Sequence, residues 1–417
     1  MSFIKRRHFL TQCGAALAGG ITLPNLFPAE AGNQVTKSVA AIVTAFPRNS
    51  HADVIVGRIL TGYDLDGAGP YPALKVASLY LDQVPENDQG RRLAADHGVR
   101  LCRTIEEALT LGRRDLAVEG VLLIGEHGKY PTSETGQIMY PRRRFFEETV
   151  AVFRRCGRSV PVFSDKHLAW NWTDAKWMYD TARELNIPFM AGSSLPVTWR
   201  RPPIDLQRGS RLAEVVGIAY GPLDAYGFHA LEMLQCLCER RHGGETGVAA
   251  VQCLTGPAVW QARAEGRFNA QLFTAALARL KKPDRFKGDL AAAVGNPVVF
   301  VIEFRDGLRA AILMLNPAVR EWAVAWCEAD RSAPQSTQFW LEGKRPYGHF
   351  KHLLKGVERM IHTAKPTWPV ERTLLTTGML HELHVSKMRG GVRLETPHLA
   401  IAYQPTYDWQ PPVPPRE

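Results

Sequence analysis

Short apolar runs alternate with amphipathic stretches through the first half of the chain. Runs at residues 39–43, 75–81, 99–102, 120–125, 160–164 and 187–191 are bounded by turn residues, which predicts six buried strands. The stretches between them predict helices over 51–60, 88–97, from 104 onward, over 145–156 and over 173–185. Ser50 or Asn49 serves as N-cap of the first helix, and Thr104 with Glu107 forms a capping box. Strands that are apolar throughout, each followed by a helix, predict an α/β domain: a Rossmann-like, doubly wound parallel sheet with helices on both faces.

The second half changes period. Strands are predicted at 212–219, 247–255, 297–304, 309–315, 323–329 and 337–342, with a helix over 227–240. Asp306-Gly307 between two of these strands is a hairpin signal. The pattern predicts an α+β domain with an open, mainly antiparallel sheet. Trp199-Arg200-Arg201-Pro202-Pro203 reads as the boundary, dividing the chain into domains at 36–199 and 200–405, and the Pro-rich end, 406–417, reads as an extended tail.

The N-terminus has a different character. Lys5-Arg6-Arg7-His8-Phe9-Leu10 precedes a weakly apolar run over 13–23 and then Ala29-Glu30-Ala31, a small-x-small cleavage site. This layout predicts a twin-arginine signal peptide over 1–31, and with it the twin-arginine export machinery as a partner and a periplasmic or otherwise exported location. Cys13 stands before the apolar run rather than after it, which argues against lipidation. Removing three cations and one anion lowers the formal charge from +10 to +8 over residues 32–417. The remaining basic residues come in twos and threes with acids between them, so nucleic acid is not an expected partner. No run approaches ~18 apolar residues, so no stable membrane anchor is expected. Six cysteines remain without a C-x-x-C pair and read as small buried apolar residues. A fold independent of disulfides suits export of an already folded protein from a reducing compartment.

The first strand-to-helix turn, residues 44–51, contains no glycine, where a dinucleotide site usually has G-x-G-x-x-G. Arg48 and Ser50 at the start of the next helix could still hold a phosphate. Asp82 ends the second strand, where an acid can hold ribose hydroxyls. Trp170, Trp172 and Trp177 could stack on a sugar ring or fill a core. His381 and His384 in His381-Glu382-Leu383-His384 are three apart rather than the four of H-E-x-x-H, so no metal site is assigned. Ser193-Ser194 lacks the G-x-S-x-G elbow of a serine hydrolase.

Over nearly all of residues 32–417 the chain resembles the glucose-fructose oxidoreductase and inositol dehydrogenase family. Residues 81–85, 93–99 and 104–109 are similar to its second strand, helix and third strand. Ser164-Asp165-Lys166-His167 falls where the family has Glu-Lys-Pro, and Gly227-Phe228-His229-Ala230-Leu231-Glu232 where it has Gly-x-His-x-Ile-Asp. Residues 372–391 resemble its C-terminal helix. The resemblance implies an NAD(P)-dependent oxidoreductase acting on a sugar or polyol hydroxyl, with a possible homo-oligomer formed through the open sheet. It implies Lys166 beside the nicotinamide and the substrate hydroxyl, His229 as acid/base and Asp224 as its companion. NAD or NADP would be held by Arg48, Ser50, Asp82, Glu126 and His127. The chain also departs from the family. The glycines are missing, Glu-Lys-Pro has become Asp-Lys-His, and Asp224 lies five residues before His229 rather than four. Those departures support an alternative: a redox-inactive relative that binds a carbohydrate or a protein partner outside the cytoplasm.

Overall fold

The computed structural model describes residues 35–280, 290–331 and 333–414, so the expected export signal lies outside the described residues. The first half runs β1 (Lys37–Val43), α1 (His51–Thr61), β2 (Leu74–Leu81), α2 (Gly90–Asp96), β3 (Arg100–Cys102), α3 (Ile105–Thr110), β4 (Gly120–Ile124), α4 (Arg142–Cys156), β5 (Val162–Asp165), α5 (Trp172–Glu184) and β6 (Phe189–Gly192). Its six strands are all parallel, in the order β3-β2-β1-β4-β5-β6. The strand order reverses between β1 and β4. The crevice outside their carboxyl ends is where such sheets bind ligands.

The second half runs β7 (Trp199–Arg201), β8 (Leu212–Ala219), α6 (Leu223–Cys238), β9 (Val248–Thr255), α7 (Pro257–Ala264), α8 (Ala270–Leu277), α9 (Leu290–Ala293), β10 (Val298–Phe304) and β11 (Arg309–Met314). It continues through β12 (Trp322–Glu328), β13 (Gln335–Trp340), α10 (His349–Thr363), α11 (Val370–Met388) and β14 (Leu394–Glu395). The strands form one sheet in the order β14-β9-β10-β11-β8-β12-β13-β7, antiparallel except where β11 meets β8. The Asp306-Gly307 hairpin joins β10 to β11 as expected, with Gly307 at φ +89 and Glu303 paired to Arg309. The two expected sheets are therefore both present.

Four features go beyond the sequence reading. At the expected boundary Trp199-Arg200-Arg201 forms the edge strand β7, paired to β13, with Arg201 stacked 3.9 Å over Trp340. Residues 406–414, without helix or strand, pack against the chain. Trp409 is buried and its indole N–H donates to Thr198 O at 2.8 Å, while Asp408 pairs with Arg208 and Arg240. One face of the second sheet packs on α6 and α11, and the other is covered in part by Val259, Phe268, Leu272 and Phe273. The α7–α8 region thus covers part of the face away from α6 and α11.

The fourth feature is α10, a helix the sequence reading did not name. Its Phe350, Leu353, Leu354, Val357, Met360 and Ile361 follow an i, i+3, i+4, i+7 stripe. They pack with α1 and with Val39, Ala41 and Val43 of β1. Helices α3, α4 and α5 cover the opposite face. A helix that follows the second sheet in the chain therefore supplies a layer of the first. Burying each side chain of this size contributes about 1.5–3 kcal/mol.

Candidate active site

At the carboxyl edge of the first sheet, the turn after β1 is closed upon itself. Thr44 Oγ1 donates to Ile124 O at 3.3 Å and also to Glu126 O, tying the loop after β4 to the turn. Phe46 is fully buried, and its carbonyl accepts from Gln89 N at 2.9 Å. A Cβ at Gly90 would come within 3.1 Å of Phe46 Cβ, so this close packing depends on glycine there. Ser50 caps α1, its hydroxyl accepting from Asp53 N at 3.3 Å. The buried Asp53 carboxylate accepts in turn from Asn49 N at 2.8 Å and Arg345 Nη1 at 2.6 Å. A carboxylate in the first turn already complements the helix dipole, in the place where a phosphate would do so. Ser50 is accordingly a capping residue, whereas Arg48 is exposed on the turn.

Asp82 sits at the end of β2 as expected, but its oxygens are engaged. Oδ1 accepts from Tyr80 Oη at 2.8 Å and from Arg144, and Oδ2 accepts from Tyr130 Oη at 2.7 Å. Burial would raise its carboxyl pKa, but hydrogen bonds from Tyr130, Arg144 and Tyr80 outweigh burial and lower it. A carboxylate has about four lone-pair positions. Three are filled, which leaves one where a ribose diol would use two.

The ends of β4, β5 and β6 are built differently. His127 and Lys166 both have positive φ, +71 and +66, although neither is glycine. Such backbone strain persists only where its surroundings hold it, and it gathers at functional sites. Lys166 Nζ lies 3.1 Å from Glu126 Oε1, and Arg142 Nη2 lies 3.1 Å from Glu126 Oε2. Burial pushes Glu126 upward, but Lys166, His51 and Arg142 together hold it well below the usual carboxylate range. His167 is buried, and its Nε2 accepts from Arg142 Nη1 at 2.9 Å. Desolvation, then Arg142, pushes its pKa well down, so it is neutral. Lys166, Glu126, His127 and His167 therefore come together.

His229 joins this group from α6. Burial, then Lys166 and His51, pushes its pKa well below that of free histidine. Its Nδ1 lies 2.6 Å from Ser193 Oγ. Asp224 does not reach it. Helix α6 starts a turn before the predicted residue 227, placing Asp224 in the first turn with Oδ2 accepting from Ile138 N at 2.9 Å. Glu232, one turn after His229, is buried and accepts from Thr376 Oγ1 at 2.9 Å and Thr373 Oγ1 at 3.3 Å. Desolvation raises its pKa despite Arg372. Gly192, at φ +126, is required beside it, since a Cβ there would lie 2.7 Å from Glu232 Oε2.

Sequence reasoning missed several members. His51, the first residue of α1, places Nδ1 2.6 Å from Asp165 Oδ2. Its ring lies 5.9 Å from that of His127 and 6.4 Å from that of His229, with Phe350 edge-on at 4.9 Å. Tyr226 and Trp322 stack at 5.7 Å and form an aromatic wall beside His229. No local motif marks these partners, because 114 residues separate His51 from Asp165. The tryptophans singled out from sequence serve elsewhere, Trp177 lying beneath Arg143 at 3.2 Å and Trp172 packing in the cores. His384 Nδ1 meets Thr135 O at 2.9 Å, and Glu382 pairs with His398 at 3.1 Å.

No family model matches the chain, and no curated protein matches it. Solved structures do match in fold. GenD2 from gentamicin A biosynthesis, solved in complex with NAD, superposes with a TM-score of 0.57 at 15% identity, over 89% of this chain and 99% of its own. The scyllo-inositol dehydrogenase of Lactobacillus casei gives 0.53 at 10% identity, over 86% and 98%. The myo-inositol dehydrogenase of Corynebacterium glutamicum gives 0.52 at 12% identity, over 86% and 99%. At these identities the likeness establishes the fold. The chain has the two-domain architecture of NAD-binding oxidoreductases and inositol dehydrogenases, the group its sequence resembles.

Proposed function

We propose that the protein is an exported oxidoreductase that uses NAD or NADP to act on a hydroxyl of a sugar or polyol. The observation that carries this reading is the buried Lys166–Glu126 pair, on strained backbone at the ends of β4 and β5, grouped with neutral His229. The fold neighbours add support, one being solved with NAD and two being inositol dehydrogenases. A nicotinamide ring fits the chemistry of Lys166, Glu126 and His127. With Asp53 at the α1 N-terminus, phosphates would rely on exposed Arg48 instead of glycines. When bound, the dinucleotide supplies the hydride acceptor. The chain's own groups orient the hydroxyl, hold its proton and present Tyr226 and Trp322 as an apolar face for a sugar or cyclitol ring. The twin-arginine motif at Arg6-Arg7 supports the exported location.

The test is direct. Protein purified from its natural compartment is denatured and the supernatant analysed for nucleotide, then refilled protein is titrated with NAD and NADP. Release of nucleotide or micromolar binding is expected. Absence of both ends this reading. Asp82, three of whose acceptor positions are filled, and the glycine-free turn around Phe46 favour a second reading, in which the fold has lost redox activity and keeps a carbohydrate site. Calorimetric binding of myo-inositol or glucose without any nucleotide binding would select it.

A further inference from the structure

Two histidines face each other across the site, and their hydrogen bonds set them in opposite tautomers. A carboxylate has no hydrogen to give, so at 2.6 Å the shared hydrogen belongs to His51 Nδ1 and Asp165 accepts it. Among the described residues nothing bonds His51 Nε2, so in the form that carries its hydrogen on Nδ1 alone that nitrogen presents a lone pair. Asp165 is 1% exposed and fixed at the end of β5, while the His51 side chain keeps 14% exposure toward the site. An imidazole oriented by a buried carboxylate at one nitrogen is free to accept a proton at the other.

His229 is arranged the other way. Ser193 Oγ accepts from Leu195 N at 3.1 Å, and its own hydrogen needs an acceptor. His229 Nδ1, at 2.6 Å, is the acceptor the structure provides. The reverse tautomer would leave a buried hydroxyl hydrogen unpaired. His229 Nδ1 therefore accepts, and Nε2 carries the hydrogen.

We propose that His51, held by Asp165, is the proton acceptor of this site, and that His229, fixed by Ser193, presents an N–H that hydrogen-bonds the substrate oxygen. This rests on the reading that the site oxidises a hydroxyl. The hydroxyl proton would pass to His51 Nε2 and the oxygen, becoming a carbonyl, would be held by His229 Nε2–H, while a bound nicotinamide would supply the acceptor for the carbon's hydride. Asp165 and Ser193 are positioning residues. The assignment reverses the role that the family resemblance gives to His229, and it places a catalytic side chain on the helix whose N-terminus would lie beside the phosphates.

The experiment is long-range proton–nitrogen NMR on the full chain labelled with ¹⁵N-histidine, with His51→Gln and His229→Gln used for assignment. His51 is expected as the Nδ1–H tautomer and His229 as the Nε2–H tautomer. Asp165→Asn should release the first and Ser193→Ala the second, while Ser193→Thr should retain it. His51 in the Nε2–H form, or His229 with an unprotonated Nε2, would overturn the proposal whether or not nucleotide binds. In NAD-coupled turnover of myo-inositol, His51→Gln should lower kcat by at least 100-fold and remove the acid limb of the pH profile. Full turnover with an unchanged profile would also overturn it. Failure of the wild-type chain to bind nucleotide counts against the oxidoreductase reading alone, since the tautomers are fixed by the folded chain.

Discussion

Beyond β1 and β2, every hydrogen bond made by Asp82, Ser50 and Asp53 goes to another part of the same chain. Beyond β4, β5 and β6, one to four strands away, a lysine, an arginine, two acids and several histidines are buried together on strained backbone. Both regions lie on one edge of one sheet. In the first, polar groups close a surface: tyrosines and an arginine latch Asp82, and a carboxylate sits at the helix N-terminus. In the second, His51 Nε2 has no partner among the described residues, and His229 offers an N–H beside an aromatic wall. Fold likeness to a structure solved with NAD spans 89% of the chain, so the fold alone does not distinguish an open subsite from a closed one.

The sharpest way to break the comparison is Lys166→Ala. It leaves Glu126 buried with only Arg142 as a cation in hydrogen-bond reach, and losing one partner of a buried pair costs about 3–5 kcal/mol. Chemical denaturation should show a fall of that size. A loss below about 1 kcal/mol would place Glu126 and Lys166 effectively in water. A smaller effect comes from acid. Burial, reinforced by Arg58 for His349 and by Lys355 for His352, lowers both α10 histidines to about 3. The folded form stays neutral while the unfolded chain takes up protons below pH ~6.5, so these groups leave stability unchanged above that value. Below it, stability falls by about 1.4 kcal/mol per histidine per pH unit, down to about pH 3. Urea midpoints at pH 7.5 and 5 should differ accordingly, and His352→Gln should remove one histidine's share. Equal midpoints would mean that α10 is not sealed against the first sheet. The smallest effect belongs to Asp82→Asn. It should cost about 1 kcal/mol of stability, since Arg144 is half exposed, and it should change NAD(P) affinity by less than twofold. A tenfold loss of affinity would instead put the ribose on Asp82 and reopen the closed end.

Much of the architecture was legible because it follows from local periodicity. The continuous apolar run of β4 and the Asp306-Gly307 hairpin appear where one-dimensional pattern places them. His127, Lys166, His167 and His229 were legible as a group because strand ends and a helix start bring them to one edge, whereas Lys129, read with them, is exposed and bonds Gln83. What escaped had two physical causes. Helix α10 carried a visible stripe, but its role depends on a sheet more than 300 residues earlier in the chain. Asp82 was located correctly, but the three donors that fill it come from β2 itself, the loop after β4 and α4. Ser193 was set aside for lacking a hydrolase elbow, although its hydroxyl matters through the histidine it touches.

The placement of α10 has a consequence for how the molecule comes into being. As the polypeptide leaves the ribosome, the six strands of the first sheet are complete by Gly192, but the layer that α10 adds beside α1 on one face is missing until Ile361 has been synthesised. For the intervening length of translation that face carries α1 without its partner helix. A fragment ending near residue 199 would lack that part of its apolar cover. The order of synthesis and the order of packing run in different directions, and the chain becomes a finished protein only when its last quarter folds back onto its first.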